Sequence, residues 1–263
     1  MSAIETDFDD EVLTVTLNQP DRRNPLSESI VEEFNDVLDE IQTDRDDVRC
    51  LVVEGSGGMF SSGGDLDAMK EGIEDPNPID HVDEHKQGIH RLIGRLYEVP
   101  IPTVACVEGA AVGAGLSLAL ACDIIIATKS AKLGVPFNNV GLVVDMGGSH
   151  TLTEAVGPHK AKELLFTSDL ITADEGEQLG LVNHAYPEDE FERECSEIID
   201  QLANGPTAAY SLTKQLINAS GEGDIWAALK RETNAQAIAA TTEDHREGVE
   251  AILEKRNPDF AGQ

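Results

Sequence analysis

Strands and helices alternate along most of this chain, which predicts an α/β domain. Two glycine-rich turns sharpen that prediction, Met59-Phe-Ser-Ser-Gly-Gly-Asp-Leu66 and Gly109-Ala-Ala-Val-Gly-Ala-Gly-Leu-Ser-Leu-Ala119. Each lies where a strand gives way to a helix. Beyond Gly205-Pro206 the chain loses its strands and reads as helices only, with breaks at Gly221 and Gly223.

Residues 11–17 alternate apolar and polar side chains, the pattern of a half-buried strand. Residues 20–26 form a loop, Ser27 is a candidate N-cap, and the helix that follows places Val31, Phe34, Leu38 and Ile41 on one face. Residues 48–53 are a continuous apolar run, as expected of a buried strand, broken by Gly55-Ser-Gly-Gly58. Pro76 and Pro78 sit in a polar connector, expected to be mobile. From residue 82 to 96 Ile89, Leu92, Ile93 and Leu96 return at helical spacing. Strands follow at 103–107 and 123–127, separated by the second glycine turn and a helix over 116–121. Thr172-Ala-Asp-Glu175 is a capping box, with Gly180 as the stop of its helix.

At 263 residues the chain builds one full core with a smaller helical part. No apolar run approaches the ~20 residues that span a bilayer. The N-terminus lacks the basic start and apolar stretch of a signal peptide, so a cytoplasmic location without membrane association is expected. Fifty acidic residues against 19 lysines and arginines give a formal charge of −31, dispersed over every amphipathic segment rather than gathered in a tail. That pattern predicts adaptation to a salty cytoplasm, where screening is strong, and it argues against nucleic acid as a partner. Cys50, Cys106, Cys122 and Cys195 form no Cys-x-x-Cys pair and are expected to be buried free thiols.

The two glycine turns leave backbone N–H groups free to point at a ligand, and one from each can hold a developing oxyanion. Asp145, between Val144 and Met146, is a candidate proton carrier whose apolar setting would raise its pKa. An Asp ahead of Gly147-Gly148 equally fits a helix N-cap. His81-Val-Asp-Glu-His85 fits an inverted zinc-peptidase pattern but has no evident third ligand, so an incidental surface pair is expected and no metal site. His150 is a further residue that could reach the site.

From residue 12 almost to the end, these motifs resemble the enoyl-CoA hydratase/isomerase (crotonase) superfamily. The resemblance implies a crotonase-like ββα spiral over residues 1–204 and a helical oligomerisation region over 205–263, assembling as a homotrimer or a dimer of trimers. It implies the amides of Gly64 and Ala114 as the oxyanion donors. Hydratases of the family carry glutamates where this chain has Ser117 and Phe137, which leaves Asp145 as the single acid. That departure, with the ending from Arg246 to Phe260, is most similar to the 1,2-epoxyphenylacetyl-CoA isomerases. The dienoyl-CoA isomerases and 4-chlorobenzoyl-CoA dehalogenases share the Asp but differ at Ser117 or Phe137. The loop carrying Arg22, Arg23, Pro25 and Leu26 is implied to lie along coenzyme A. Ser62, Asp65, Leu66, Gly113 and Phe137 are implied to line the substrate site, and Lys255 and Phe260 to cover the nucleotide, often that of a neighbouring subunit.

The expected function is therefore acyl-CoA isomerisation, with the enolate held in the oxyanion hole and Asp145 shuttling the proton. Coenzyme A enters as part of the substrate, and no other cofactor is needed. A 2-enoyl-CoA hydratase of fatty-acid β-oxidation and a non-catalytic acyl-CoA-binding oligomer are the alternatives. The dispersed charge makes a prediction of its own: the melting temperature should rise between dilute buffer and molar KCl, because unscreened repulsion opposes the compact state. A melting temperature that stays flat or falls would refute adaptation to salt.

Overall fold

The computed structural model describes residues 2–43, 45, 47–74 and 77–263. The chain opens with β1 (Ile4–Asp9) and β2 (Val12–Leu17), then β3 (Pro25–Leu26) and α1 (Glu28–Thr43). A second unit holds β4 (Cys50–Gly55), β5 (Gly63–Gly64), α2 (Leu66–Glu74), α3 (Pro78–Gln87) and α4 (Ile89–Glu98). A third holds β6 (Thr103–Val107), β7 (Ala110–Val112) and α5 (Ala114–Ala119), and a fourth β8 (Ile124–Thr128), β9 (Lys132–Gly134) and α6 (Gly148–Thr167). Then come β10 (Ile171–Thr172), α7 (Ala173–Leu179), β11 (His184–Tyr186) and α8 (Glu188–Ala203). The last helices are α9 (Thr207–Asn218), α10 (Ile225–Ala239) and α11 (Glu243–Glu254).

The first strand of each unit joins one six-stranded sheet in the order β1-β2-β4-β6-β8-β11, parallel except for the β1–β2 hairpin. The second strands form another layer: β3 pairs with β5, β7 with β9, and a Ser61–Ala111 bridge joins the two pairs. This is the ββα spiral that the family resemblance implies. A parallel sheet is covered on both faces, which is why β4 and β6 read as unbroken apolar runs. The main core lies on one side, built on Phe34, Leu38, Phe60, Leu92, Leu96 and Leu118; Phe191, Cys195 and Ala203 of α8 cover the other. All four cysteines are free and buried, and burial pushes the Cys50 and Cys122 thiols up to about 12. No described helix is long and apolar enough to cross a membrane.

Several expectations change. β1 was not legible, because as an edge strand it buries only its first residue and shows no apolar period. In the expected connector, Pro78 opens α3, where its missing N–H costs nothing. Pro76, and the side chain of His81, lie outside the described residues. The single helix expected over 82–96 is two, parted at Gly88 (φ −97°, ψ −98°). The capping box at Thr172 and the left-handed stop at Gly180 form as expected. After residue 204 all described elements are helices. Arg49 fastens them to the sheet, donating to the Gly205 carbonyl at 2.6 Å, to Thr207 Oγ1 at 3.1 Å and to Glu11 Oε2 at 3.0 Å.

Helix α5 packs closely on the first glycine turn at Gly115. A Cβ there would stand 2.7 Å from Ser61 Cβ and 2.8 Å from the Ser61 carbonyl oxygen. Gly115→Ala should therefore cost about 1–3 kcal/mol of stability by overpacking. Gly72→Ala is the control: a Cβ at Gly72, exposed on α2, would meet nothing within 4 Å. It should be neutral or stabilising by up to about 1 kcal/mol. Denaturant unfolding in molar salt checks both.

Candidate active site

The two glycine turns run side by side in fixed register. Phe60 N donates to the Glu108 carbonyl, Ser61 N to the Ala110 carbonyl and Val112 N to the Ser61 carbonyl, each at 3.0 Å. Gly64 and Ala114 each lie three residues beyond the Ser61–Ala111 bridge and both line one cavity. The turns come this close because Gly63 (φ +100°) carries no side chain. A Cβ on it would lie 2.5 Å from the Val112 carbonyl oxygen and 3.4 Å from Ala114 N. Ala114 is the first residue of α5, so its N–H has no acceptor inside the helix, and the helix dipole adds to its pull on an anion.

Two buried polar residues that sequence reasoning missed fix the first turn. Ser61 Oγ donates to the Asn24 carbonyl at 2.7 Å and accepts from Gly63 N at 3.2 Å. Asn24 donates to the carbonyls of Ser56 at 2.9 Å and Met59 at 2.7 Å, tying the Arg22 loop to the turn.

A cavity of about 460 Å³ opens on the turns. Of the residues the sequence nominates, Arg22, Pro25, Ser62, Gly64, Asp65, Leu66, Gly113, Ala114 and Phe137 line it. The others do not. Arg23 is exposed in a left-handed conformation and offers its carbonyl to Ser62 N at 2.9 Å. Leu26 is buried in the main core. Lys255 ends α11, and the Phe260 ring packs beside Gly248 of the same helix. At the cavity mouth Arg22 Nη2 contacts Asp65 Oδ1 at 2.8 Å and Asp67 Oδ2 at 3.0 Å, which raises the Arg22 pKa. Asp65 also caps α2 through Asp67 N at 3.0 Å.

Asp145 is not part of the cavity wall. Ser117, one turn after Ala114, donates to the Asp145 carbonyl at 3.2 Å, which ties the Asp145 backbone to α5. The N-cap alternative fails: α6 begins at Gly148 with Gly147 as its cap, and the Asp145 side chain turns elsewhere. Its Oδ1 lies 2.7 Å from His90 Nε2 and its Oδ2 3.6 Å from His85 Nε2. The expected upward pKa shift is also corrected. Burial does push the carboxyl up, but the His90 hydrogen bond, the Met146 N–H and the charges of both histidines outweigh it and hold it below the usual range. Neither histidine was foreseen as a partner of Asp145; His85 appeared only in the zinc pattern. His150 turns away, pairing with Glu154 at 3.2 Å.

A family model described as enoyl-CoA hydratase/isomerase matches residues 7–263. The chain is 32% identical over 252 residues to the 1,2-epoxyphenylacetyl-CoA isomerase of Escherichia coli K12, covering 96% of this chain and 95% of that protein. It is 31% identical over 268 residues to the 2,3-dehydroadipyl-CoA hydratase of the same organism, covering 100% of both. The crystal structure of a putative enoyl-CoA hydratase from Streptomyces coelicolor A3(2) superimposes with a TM-score of 0.93 at 33% identity, covering 99% of this chain and 94% of that one. The ββα spiral is thus a crotonase fold.

The geometry makes the Ala114 amide testable. Ala114→Pro removes that donor at the first helical position, where proline is tolerated. Turnover on acyl-CoA substrates should fall at least about a hundredfold while circular dichroism stays native. A near-normal rate in the folded variant would show that Ala114 is not a donor.

Proposed function

The chain belongs to the enoyl-CoA hydratase/isomerase family, and on that premise we propose that it isomerises an acyl-CoA thioester by moving a proton along the acyl chain. The thioester oxygen would lie between the amides of Gly64 and Ala114, where the charge of the enolate develops. Asp145 would take a proton from one carbon and return it to another. A 3-enoyl-CoA to 2-enoyl-CoA shift or an epoxyphenylacetyl-CoA rearrangement fits that chemistry.

One observation carries this reading: among the described residues, Asp145, tied through its carbonyl to Ser117 one turn after Ala114, offers a carboxylate without a guanidinium on it. Asp65 and Asp67 line the cavity but are bound by Arg22. Phe137 presents a ring to the cavity, and the Ser117 hydroxyl is committed to the Asp145 carbonyl. One carboxylate suffices to move one proton between two carbons, whereas hydration needs a water held and activated as well. Hydration of a 2-enoyl-CoA is the second reading, supported by His90, a further proton-bearing group 2.7 Å from Asp145. The apolar side chains that α10 and α11 expose, Trp226, Ile238, Ile252 and Leu253, support a homotrimer through these helices.

Asp145→Asn should lower 3-enoyl-CoA isomerisation by about two to four orders of magnitude, measured in molar salt. Rapid hydration of 2-enoyl-CoA by the wild type, unchanged in Asp145→Asn, would overturn the isomerase and its proton carrier together.

A further inference from the structure

We propose that His90 is a positioning residue for Asp145, so that the acid/base unit of the site is the Asp145–His90 pair rather than a lone carboxylate. This rests on the isomerase reading above. His90 is the second residue of α4, and its Nε2 meets Asp145 Oδ1 at 2.7 Å. His85, near the end of α3, faces the other oxygen at 3.6 Å. The break at Gly88 turns the two helices so that both rings reach one carboxylate, with ring centroids 5.5 Å apart and nearly perpendicular.

Among the described residues, His90 and His85 are the titratable groups that face this carboxylate. Helix α5 contributes only the Ser117 hydroxyl, which goes to the Asp145 backbone. On α6, the neighbouring histidine, His150, pairs with Glu154. A hydrogen bond from His90 Nε2–H to Oδ1 favours the charged carboxylate and fixes its plane, leaving Oδ2 as the oxygen that takes the substrate proton. In that step the C–H bond breaks, its electron pair enters the thioester enolate, and an O–H bond forms at Oδ2. Return of the proton from Oδ2 to C4, two carbons along, forms the new C–H bond with the dienolate's electron pair, moves the double bond from C3–C4 to C2–C3 and restores the thioester carbonyl. The carboxyl pKa of Asp145 is held down by this partner against the opposing effect of burial. The base is therefore ionised above that lowered pKa, and activity is lost as the pH falls through it.

The test uses the full chain in molar KCl, with His90→Gln and His90→Ala variants and 13C-labelled aspartate. The Asp145 signal is assigned by its loss in Asp145→Asn. Removing His90 should shift the Asp145 titration to higher pH, move the acid limb of kcat for 3-enoyl-CoA in the same direction, and lower kcat at least about tenfold with KM little changed. His90→Gln, which keeps a donor without the charge, should recover part of kcat and part of the lowered titration relative to His90→Ala. An unmoved carboxylate titration in both folded variants would overturn the proposal. If the wild type turns over no 3-enoyl-CoA while the titration still moves, the isomerase reading fails and the pairing stands.

Discussion

The Val112 carbonyl passes so close to Gly63 that a side chain there would begin 2.5 Å from its oxygen. That single allowance for a hydrogen lets two strand-to-helix turns touch, and the rest of the site depends on it. The parallel Ser61–Ala111 bridge holds the two turns together, Gly64 and Ala114 line one cavity, and α5 starts at Ala114 with its N–H open. Ser117 then falls one turn along, where its hydroxyl can reach the Asp145 carbonyl. Backbone proximity thus becomes a sequence of placements, from Ala114 through Ser117 to the Asp145 carbonyl.

Charge sets a second constraint. With 19 lysines and arginines against 50 acids, each cation has many competing carboxylates. Exposed pairs such as Arg91 with Asp39 contribute little individually. Arg49 and Lys214 differ, because each is nearly buried and loss of either would strand a partner: Arg49 serves Glu11 and the Gly205 carbonyl, and Lys214 serves Asp123. Arg22 holds two aspartates at the cavity mouth. A phosphate arriving there would have to replace those carboxylates on the guanidinium, so salt concentration bears on binding as well as on folding.

Much of the molecule was legible in the sequence, because local signals carried it. The apolar face Val31, Phe34, Leu38 and Ile41 is buried as its spacing implies, and all four residues belong to one core. The capping box at Thr172 needed only residues three apart. The two glycine turns were visible as clusters of small residues, and their close approach requires Gly63. The partners of Asp145 were not, because His90 meets it across 55 residues, through a break at Gly88 that no helical period reveals. An apolar neighbourhood in sequence therefore suggested a raised pKa, while the three-dimensional neighbourhood lowers it. Asn24 and Ser61 escaped notice for a similar reason: their roles lie in carbonyls brought near by β3 and β5, strands of two residues each.

In the function proposed above two backbone amides polarise one thioester oxygen, and vibrational spectroscopy reads that polarisation directly. A saturated acyl-CoA labelled with 13C at the thioester carbonyl binds without reacting, and its C=O stretch can be isolated by isotope-difference infrared spectroscopy. Two hydrogen bonds from preorganised amides should shift the stretch to lower frequency on binding, with much of that shift lost in Ala114→Pro. A carbonyl stretch that stays at its solution frequency when the ligand is bound, or that is unchanged by Ala114→Pro, would contradict the account.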